Sequence, residues 1–129
     1  MSRIRGKDTG PETTLRSLLH RAGVRFRLHA KGLPGKPDLV LPKYRTVILV
    51  HGCFWHRHPD CRLAYTPKSR RAFWKKKFAE NVTRDALVTH ALQKMKWHVE
   101  TVWECQLKQR PAQVATNLVA KLRKRLENG

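Results

Sequence analysis

Asp38-Leu39-Val40-Leu41-Pro42-Lys43-Tyr44-Arg45-Thr46-Val47-Ile48-Leu49-Val50-His51 is the stretch whose reading decides the fold. Its two apolar runs, 38–41 and 46–50, are of strand length, and Pro42-Lys43-Tyr44 between them is a tight connection. The second run is apolar at successive rather than alternate positions, as in a central strand covered on both faces. Upstream, Leu15, Leu18, Leu19 and Ala22 recur at helical spacing between Pro11 and Gly23, so residues 11–22 read as a helix. Val24, Phe26 and Leu28 then alternate with Arg25, Arg27 and His29, the pattern of a strand with one wet face, and Gly32 to Pro37 form a turn cluster. Downstream, Phe73, Phe78, Val82, Val88, Leu92 and Met95 sketch a long helix from about Arg70 to Lys94 with very basic first turns. Val99, Thr101 and Trp103 alternate as a further strand, and Val114, Leu118, Leu122 and Leu126 follow Pro111 as a last amphipathic helix. The order α-β-β-β-α-β-α, with no internal repeat or low-complexity linker, predicts one mixed α/β domain over residues 1–129.

Charge narrows the partner. Among 129 residues, 28 are Lys or Arg and 9 are Asp or Glu, a formal net charge of +19. Such an excess favours a polyanion through counterion release, nucleic acid first and an anionic membrane surface second. The longest aliphatic run is Val47-Ile48-Leu49-Val50, far short of the about 20 apolar residues that span a bilayer. Met1 to Asp8 lack the apolar stretch of a secretory signal, so an intracellular protein is expected. With 40% hydrophobic residues the chain is too apolar for general disorder. Its three cysteines are an odd number, and in a reducing compartment they point to metal binding or burial rather than a disulfide framework.

Three constellations hold chemistry. Glu12, Asp38 and His51 sit on successive elements, and the hairpin brings Asp38 near the end of the following strand. Phosphodiester hydrolysis needs a hard oxygen ligand for Mg²⁺ and charge stabilisation of a crowded phosphate, and Asp38 can supply the first. The plain structural alternative is that Asp38 caps the turn after Pro37 while Glu12 answers the helix dipole. Cys53, Cys61 and Cys105 with His58 make a Cys3His set, the tetrahedron of a structural zinc site, and use every cysteine in the chain. His56 competes with His58 for the imidazole position, and simple burial of three reduced cysteines is the alternative. Residues 51–69 read as a long irregular loop, which a metal would order. Finally, the pair Phe54-Trp55, with Trp74 amid Lys68, Arg70, Arg71, Lys75, Lys76 and Lys77, has the character of an apolar wedge beside a phosphate-binding helix start. Alternatively, Phe73 and Trp74 are core residues and the lysines a solvated face. Trp97 and Trp103 read as core or strand-edge residues, and His20, His29, His90 and His98 as surface or packing residues.

These same residues fall in blocks of a known kind: Ser2-Arg3-Ile4-Arg5-Gly6-Lys7-Asp8-Thr9 through Glu12, Leu33-Pro34-Gly35-Lys36-Pro37-Asp38, Val50-His51-Gly52-Cys53-Phe54-Trp55-His56, Phe73-Trp74, Asn81-Val82-Thr83-Arg84-Asp85 and Val102-Trp103-Glu104-Cys105. In content and order they resemble the very short patch repair endonucleases, bacterial enzymes that nick DNA at T:G mismatches left by deamination of 5-methylcytosine. The resemblance implies a restriction-endonuclease-like α/β core whose mixed sheet is flanked by helices. Asp38 and the carbonyl of Val50 would bind Mg²⁺, His56 would activate the attacking water, and Glu12 and His51 would support them. Cys53, His58, Cys61 and Cys105 would hold a structural zinc, and Phe54, Trp55 and Trp74 would form the wedge, with Lys77 and Asn81 contacting the mismatch. It also implies a monomer of the bacterial cytoplasm, working at the nucleoid on double-stranded DNA, with mismatch-repair proteins as partners. Two departures stand out. Val50 replaces a hydroxyl residue, and the loop from His58 to Cys61 is one residue longer than the family pattern.

Overall fold

The computed structural model describes residues 10–28 and 30–128, so the Ser2–Thr9 block and His29 lie outside the described residues. The 46–50 run is indeed the central strand. β3 (Thr46–His51) lies between β2 (Leu39–Leu41), which it pairs antiparallel, and β4 (His98–Trp103), which it pairs parallel; β1 (Arg27–Leu28) completes a four-stranded mixed sheet in the order β1-β2-β3-β4. A parallel pair needs a long crossover. Here the crossover contains α3 (Arg71–Lys94).

Strand alternation then sorts the core into two layers. Leu39, Leu41 and Ile48 pack with Leu15 and Leu19 of α1 (Gly10–Arg21) and with Leu118 and Leu122 of α5 (Pro111–Asn128), all almost wholly buried. Val40 and Val47 point the other way, onto Leu92 and Val88 of α3 and onto Trp97. Every residue of β2 is therefore buried, because each face of the sheet has a helical cover. The hairpin connection is a 3-10 turn, Pro42–Tyr44, closed by Arg45 in the left-handed region (φ 52°). Arg45 donates to the carbonyls of Met95 and Lys96 and lies 4.1 Å over the Trp97 ring, tying the hairpin to the end of α3.

Three features depart from the sequence reading. Of the strand expected over 24–29, the described residues pair only at Arg27 and Leu28, because the Val24 N–H bonds to the Leu19 carbonyl and closes α1. The expected loop 51–69 opens with one helical turn, α2 (Cys53–His56), and β4 runs straight into α4 (Glu104–Gln109). Both helices are shorter than the span over which a 3.6-residue period can be recognised. Along α3 only Phe78 and Leu92 are buried, so its apolar residues serve two packing sites rather than one stripe. No helix among the described residues is long and apolar enough to cross a membrane.

Gly35 (φ 71°) sits where the turn cluster passes against α3, and a Cβ built there would collide with the methyl groups of Val88. Gly35→Ala combines a left-handed alanine with overpacking and is expected to cost about 2–4 kcal/mol. Chemical denaturation measures it; a loss below about 1 kcal/mol would show that the α3 contact yields freely.

Candidate active site and metal centre

β3 ends at His51 and turns through Gly52 into α2, and the space beyond that end is a cleft of about 890 Å³. Glu12, Lys36, Asp38, Val50, His51, Phe54, Trp55, Tyr65, His56, Arg84, Asp85 and Glu104 are among its lining residues. Asp38 enters from the turn cluster. Its N–H bonds to the Ile48 carbonyl, and its carboxylate accepts the Val50 N–H at 2.6 Å, so the start of β2 and the end of β3 hold it from two sides. Burial pushes the Asp38 carboxyl up to about 7; the Val50 N–H pulls it back, and the neighbouring Glu12 carboxyl raises it again. Glu12 comes from the first turn of α1 and is 7% exposed, with Arg16 one turn on at 3.9 Å. Two carboxyl groups held together out of water form a site for a hard cation. Asp38 and Glu12 are thus the residues that could hold a divalent cation here.

On the other side of the cleft, His56 Nδ1 lies 2.6 Å from Asp85 Oδ2, and the His51 and His56 rings stack at 3.9 Å, 6° from parallel. Burial lowers the His51 pKa to about 4, helped by the adjacent His56 and opposed by Asp85. His51 is consequently neutral at pH 7.

Beneath this lies the thiol cluster. Cys53 opens α2, Cys105 is the second residue of α4, and His58 and Cys61 come from the loop; one donor atom from each lies within 4.8 Å of all the others. His58 Nδ1 is 3.6 Å from Cys53 Sγ and 3.5 Å from Cys105 Sγ. A tetrahedral ion with Zn–S of about 2.3 Å and Zn–N of about 2.0 Å spaces sulfur from nitrogen by roughly 3.6 Å, so the group fits such an ion. Trp103 stacks on His58 at 4.2 Å and orients its ring. The structure brings His58 rather than His56 to the thiols, because Arg57 takes a left-handed conformation (φ 53°) and reverses the direction in which successive side chains point.

The expected wedge residues also meet. Phe54 is half-buried at the centre of an aromatic group, with the rings of Trp55, Tyr65, Trp74 and Phe78 at 5.1 to 5.6 Å. Trp55 is 45% exposed, and Asn81 donates to its carbonyl at 3.2 Å. Lys77 is exposed one helical turn before Asn81. Phe73, weighed above as a core residue, is 44% exposed under the Arg70 guanidinium.

Comparison with known proteins gives the family. Residues 1–63 match the family model for the DNA mismatch endonuclease Vsr. Over 107 residues the chain is 50% identical to the type II nicking enzyme V.XorIIP of Xanthomonas oryzae pv. oryzae, covering 83% of this chain and 78% of that one. The chain belongs to the Vsr family of DNA mismatch endonucleases. It is also 46% identical to the DNA mismatch endonuclease Vsr of Escherichia coli K12 (85% of this chain, 70% of that one). With the type II nicking enzyme V.NmeAIP of Neisseria meningitidis the identity is 44% (84% and 76%).

In this Vsr-family chain several residues of the site had no role assigned from sequence. Asp85 lies one helical turn after Asn81 on α3, and its place in the Asn81–Asp85 block was the available signal. Glu104 accepts the Cys53 N–H at 3.3 Å, pairs with Lys108 at 3.0 Å, and so joins α4 to the start of α2. Trp103 touches both His58 and His51. Arg57 gave no sequence signal; its side chain makes the contacts described below.

The raised Asp38 pKa has a sign that can be tested. Between about pH 4 and 7 the metal-free fold retains a proton that the unfolded chain has lost, so this group's contribution to stability falls as pH rises through that window. Asp38→Asn keeps an acceptor for Val50, offers Glu12 a donor and removes the charge. It is expected to raise the thermal midpoint of metal-free protein at pH 8 by roughly 5 °C, with the gain vanishing near pH 4. An unchanged or lowered midpoint at pH 8 would contradict the burial of an ionised Asp38.

Proposed function

We propose that this chain, as a single domain and a monomer, is a Mg²⁺-dependent, strand-specific nicking endonuclease of the bacterial cytoplasm. It acts on T:G mismatches left by deamination of 5-methylcytosine, cutting 5′ of the mispaired T in very short patch repair. The observation that carries this reading is a single cleft in which the Asp38–Glu12 carboxyl pair faces the His56–Asp85 pair while exposed Trp55 forms part of the wall.

Asp38 and the Val50 carbonyl would hold Mg²⁺, which when bound would withdraw charge from the phosphate undergoing attack. His56 takes the proton of the attacking water. With its Nδ1–H given to Asp85, the neutral ring keeps Nε2 as the acceptor, and Asp85 stabilises the imidazolium that forms. His51 remains neutral and fixes the His56 ring plane by stacking. Glu12 and His51 orient the waters around the phosphate. Cys53, His58, Cys61 and Cys105 hold a structural Zn²⁺ that fixes the α2 turn carrying His56, Phe54 and Trp55.

Recognition follows from stacking and charge. Phe54, Trp55 and Trp74 form the wedge between base steps, and a mismatched step yields at less cost than a paired one. Asn81 and Lys77 on α3 meet the mismatched pair. The exposed cations around the start of α3 neutralise phosphates, giving affinity that falls with salt and little sequence information. Mismatch-repair proteins are the expected partners on the nicked product.

With Mg²⁺ and end-labelled duplexes, the T:G duplex is expected to be nicked and the matched one spared. Equal cutting of both would sink the mismatch reading, and binding without cutting would favour a zinc-stabilised DNA-binding module. Asp38→Ala should lower nicking by at least about 10³-fold while mismatch binding persists. Elemental analysis should find one zinc per chain, lost together with the fold of the α2 loop in Cys105→Ser; a folded, metal-free protein would overturn that assignment.

A further inference from the structure

Arg57 and Tyr65 lie outside every role assigned so far. Past α2 the chain runs from Arg57 to Arg70 without regular helix or strand, so its backbone carbonyls need partners from elsewhere. Arg57 provides them. Its guanidinium donates to the carbonyls of Phe54 (3.1 Å), Tyr65 (3.0 Å) and Ala64 (2.7 Å) and to Thr66 Oγ1 (3.1 Å). The same planar group lies 3.9 Å over the Phe78 ring and 5.8 Å from the centre of Phe54. It therefore pins residues 64–66 to both α2 and α3, with its donors used in a fixed fork that a lysine cannot reproduce.

The side chain so placed is Tyr65. It is 63% exposed, lines the catalytic cleft, and packs one side of its ring 5.1 Å from Phe54 at 48°. Trp55 packs on Phe54 from another direction, also at 5.1 Å. Thus one half-buried phenyl ring supports two exposed aromatic rings at the mouth of the cleft. An exposed ring of this size held by an ordered backbone loses little freedom on binding, and every base has a face to offer it.

We propose that Tyr65 is a further DNA-contacting residue that stacks on a base displaced when the wedge opens the mismatch, and that Arg57 is the positioning residue that holds it there. The inference rests on the mismatch reading above. A displaced base otherwise leaves an apolar face in water, and a ring beside the wedge covers it; the contact exists only in the opened duplex, so it adds discrimination as well as affinity.

The test compares Tyr65→Ala, Tyr65→Phe, Arg57→Ala and Arg57→Lys with the parent protein on T:G and matched duplexes in Mg²⁺. Tyr65→Ala should raise KM on the T:G duplex by about tenfold with kcat within about twofold, and leave binding to the matched duplex unchanged. Tyr65→Phe should keep the parent KM, since stacking needs the ring and not the hydroxyl. Arg57→Ala should reproduce the KM effect with zinc content intact, Arg57→Lys should restore little, and the double alanine variant should be no worse than the poorer single one. Parent-like KM in Tyr65→Ala, or equal loss on both duplexes, would overturn the proposal. Should Arg57→Ala not fold, the solvent-exposed Tyr65 variants decide alone. A parent protein that fails to distinguish the two duplexes would instead refute the mismatch reading, so the two failures are separable.

Discussion

The parallel register of β3 on β4 is the constraint from which the rest of the site follows. Val50 stands opposite Val102 and His51 opposite Trp103, so both strands leave the sheet at the same level. Cys53 and Cys105 each come two residues after that last pair, which is why two cysteines 52 positions apart in sequence reach one donor cluster, the Cys105 N–H lying 3.4 Å from Cys53 Sγ. A slip of one residue would turn every side chain of β4 to the opposite face and separate them. The same register sets Trp103 against both His51 and His58, so one indole edge touches the cleft and one face the Cys3His cluster. Packing, the Cys3His cluster and the cleft are thus consequences of a single strand pairing.

Much of this was legible in sequence because strong periods leave clear marks. The doubly apolar run 46–50 pointed to a covered central strand, the helices 10–21 and 111–128 lie within a residue or two of where Pro11, Gly23 and Pro111 would bound them, and the helix 71–94 matches the span from about Arg70 to Lys94 that its apolar spacing outlined. The short helices α2 and α4 were not legible, since four and six residues carry no period. In the site, the Cys3His set was visible from composition; the residues alone left the choice between His56 and His58 open and the family resemblance pointed to His58, while in the structure it turns on a left-handed residue at position 57 that nothing in its identity announces. Asp85, Glu104 and Arg57 escaped for a related reason: an acid or an arginine amid 37 charged residues has no signature until its partner is known.

The acids are informative in a chain of net charge +19. Several of the nine are turned inward: Glu12 and Asp38 sit side by side, Asp85 holds His56, Glu104 holds the α2 turn, and Glu100 is paired with Lys121 and Arg125. The cations on α3 and just before it, by contrast, are exposed. Negative charge is confined where a cation or an imidazole can balance it, which keeps these carboxylates from opposing the attraction of the exposed cations for an anion.

The left-handed Arg57 also bears on how the sequence can change over evolutionary time. His56 and His58 serve different centres through a reversal that occupies one residue, so an insertion or deletion between them would exchange which imidazole meets the thiols and which meets Asp85. Further along, Pro59 and Asp60 are exposed and Asp60 absorbs its own reversal at φ 55°. A change of length is thus easier to absorb between His58 and Cys61 than two positions earlier. A few atoms of backbone geometry divide the loop into a part that drift can edit and a part that resists it.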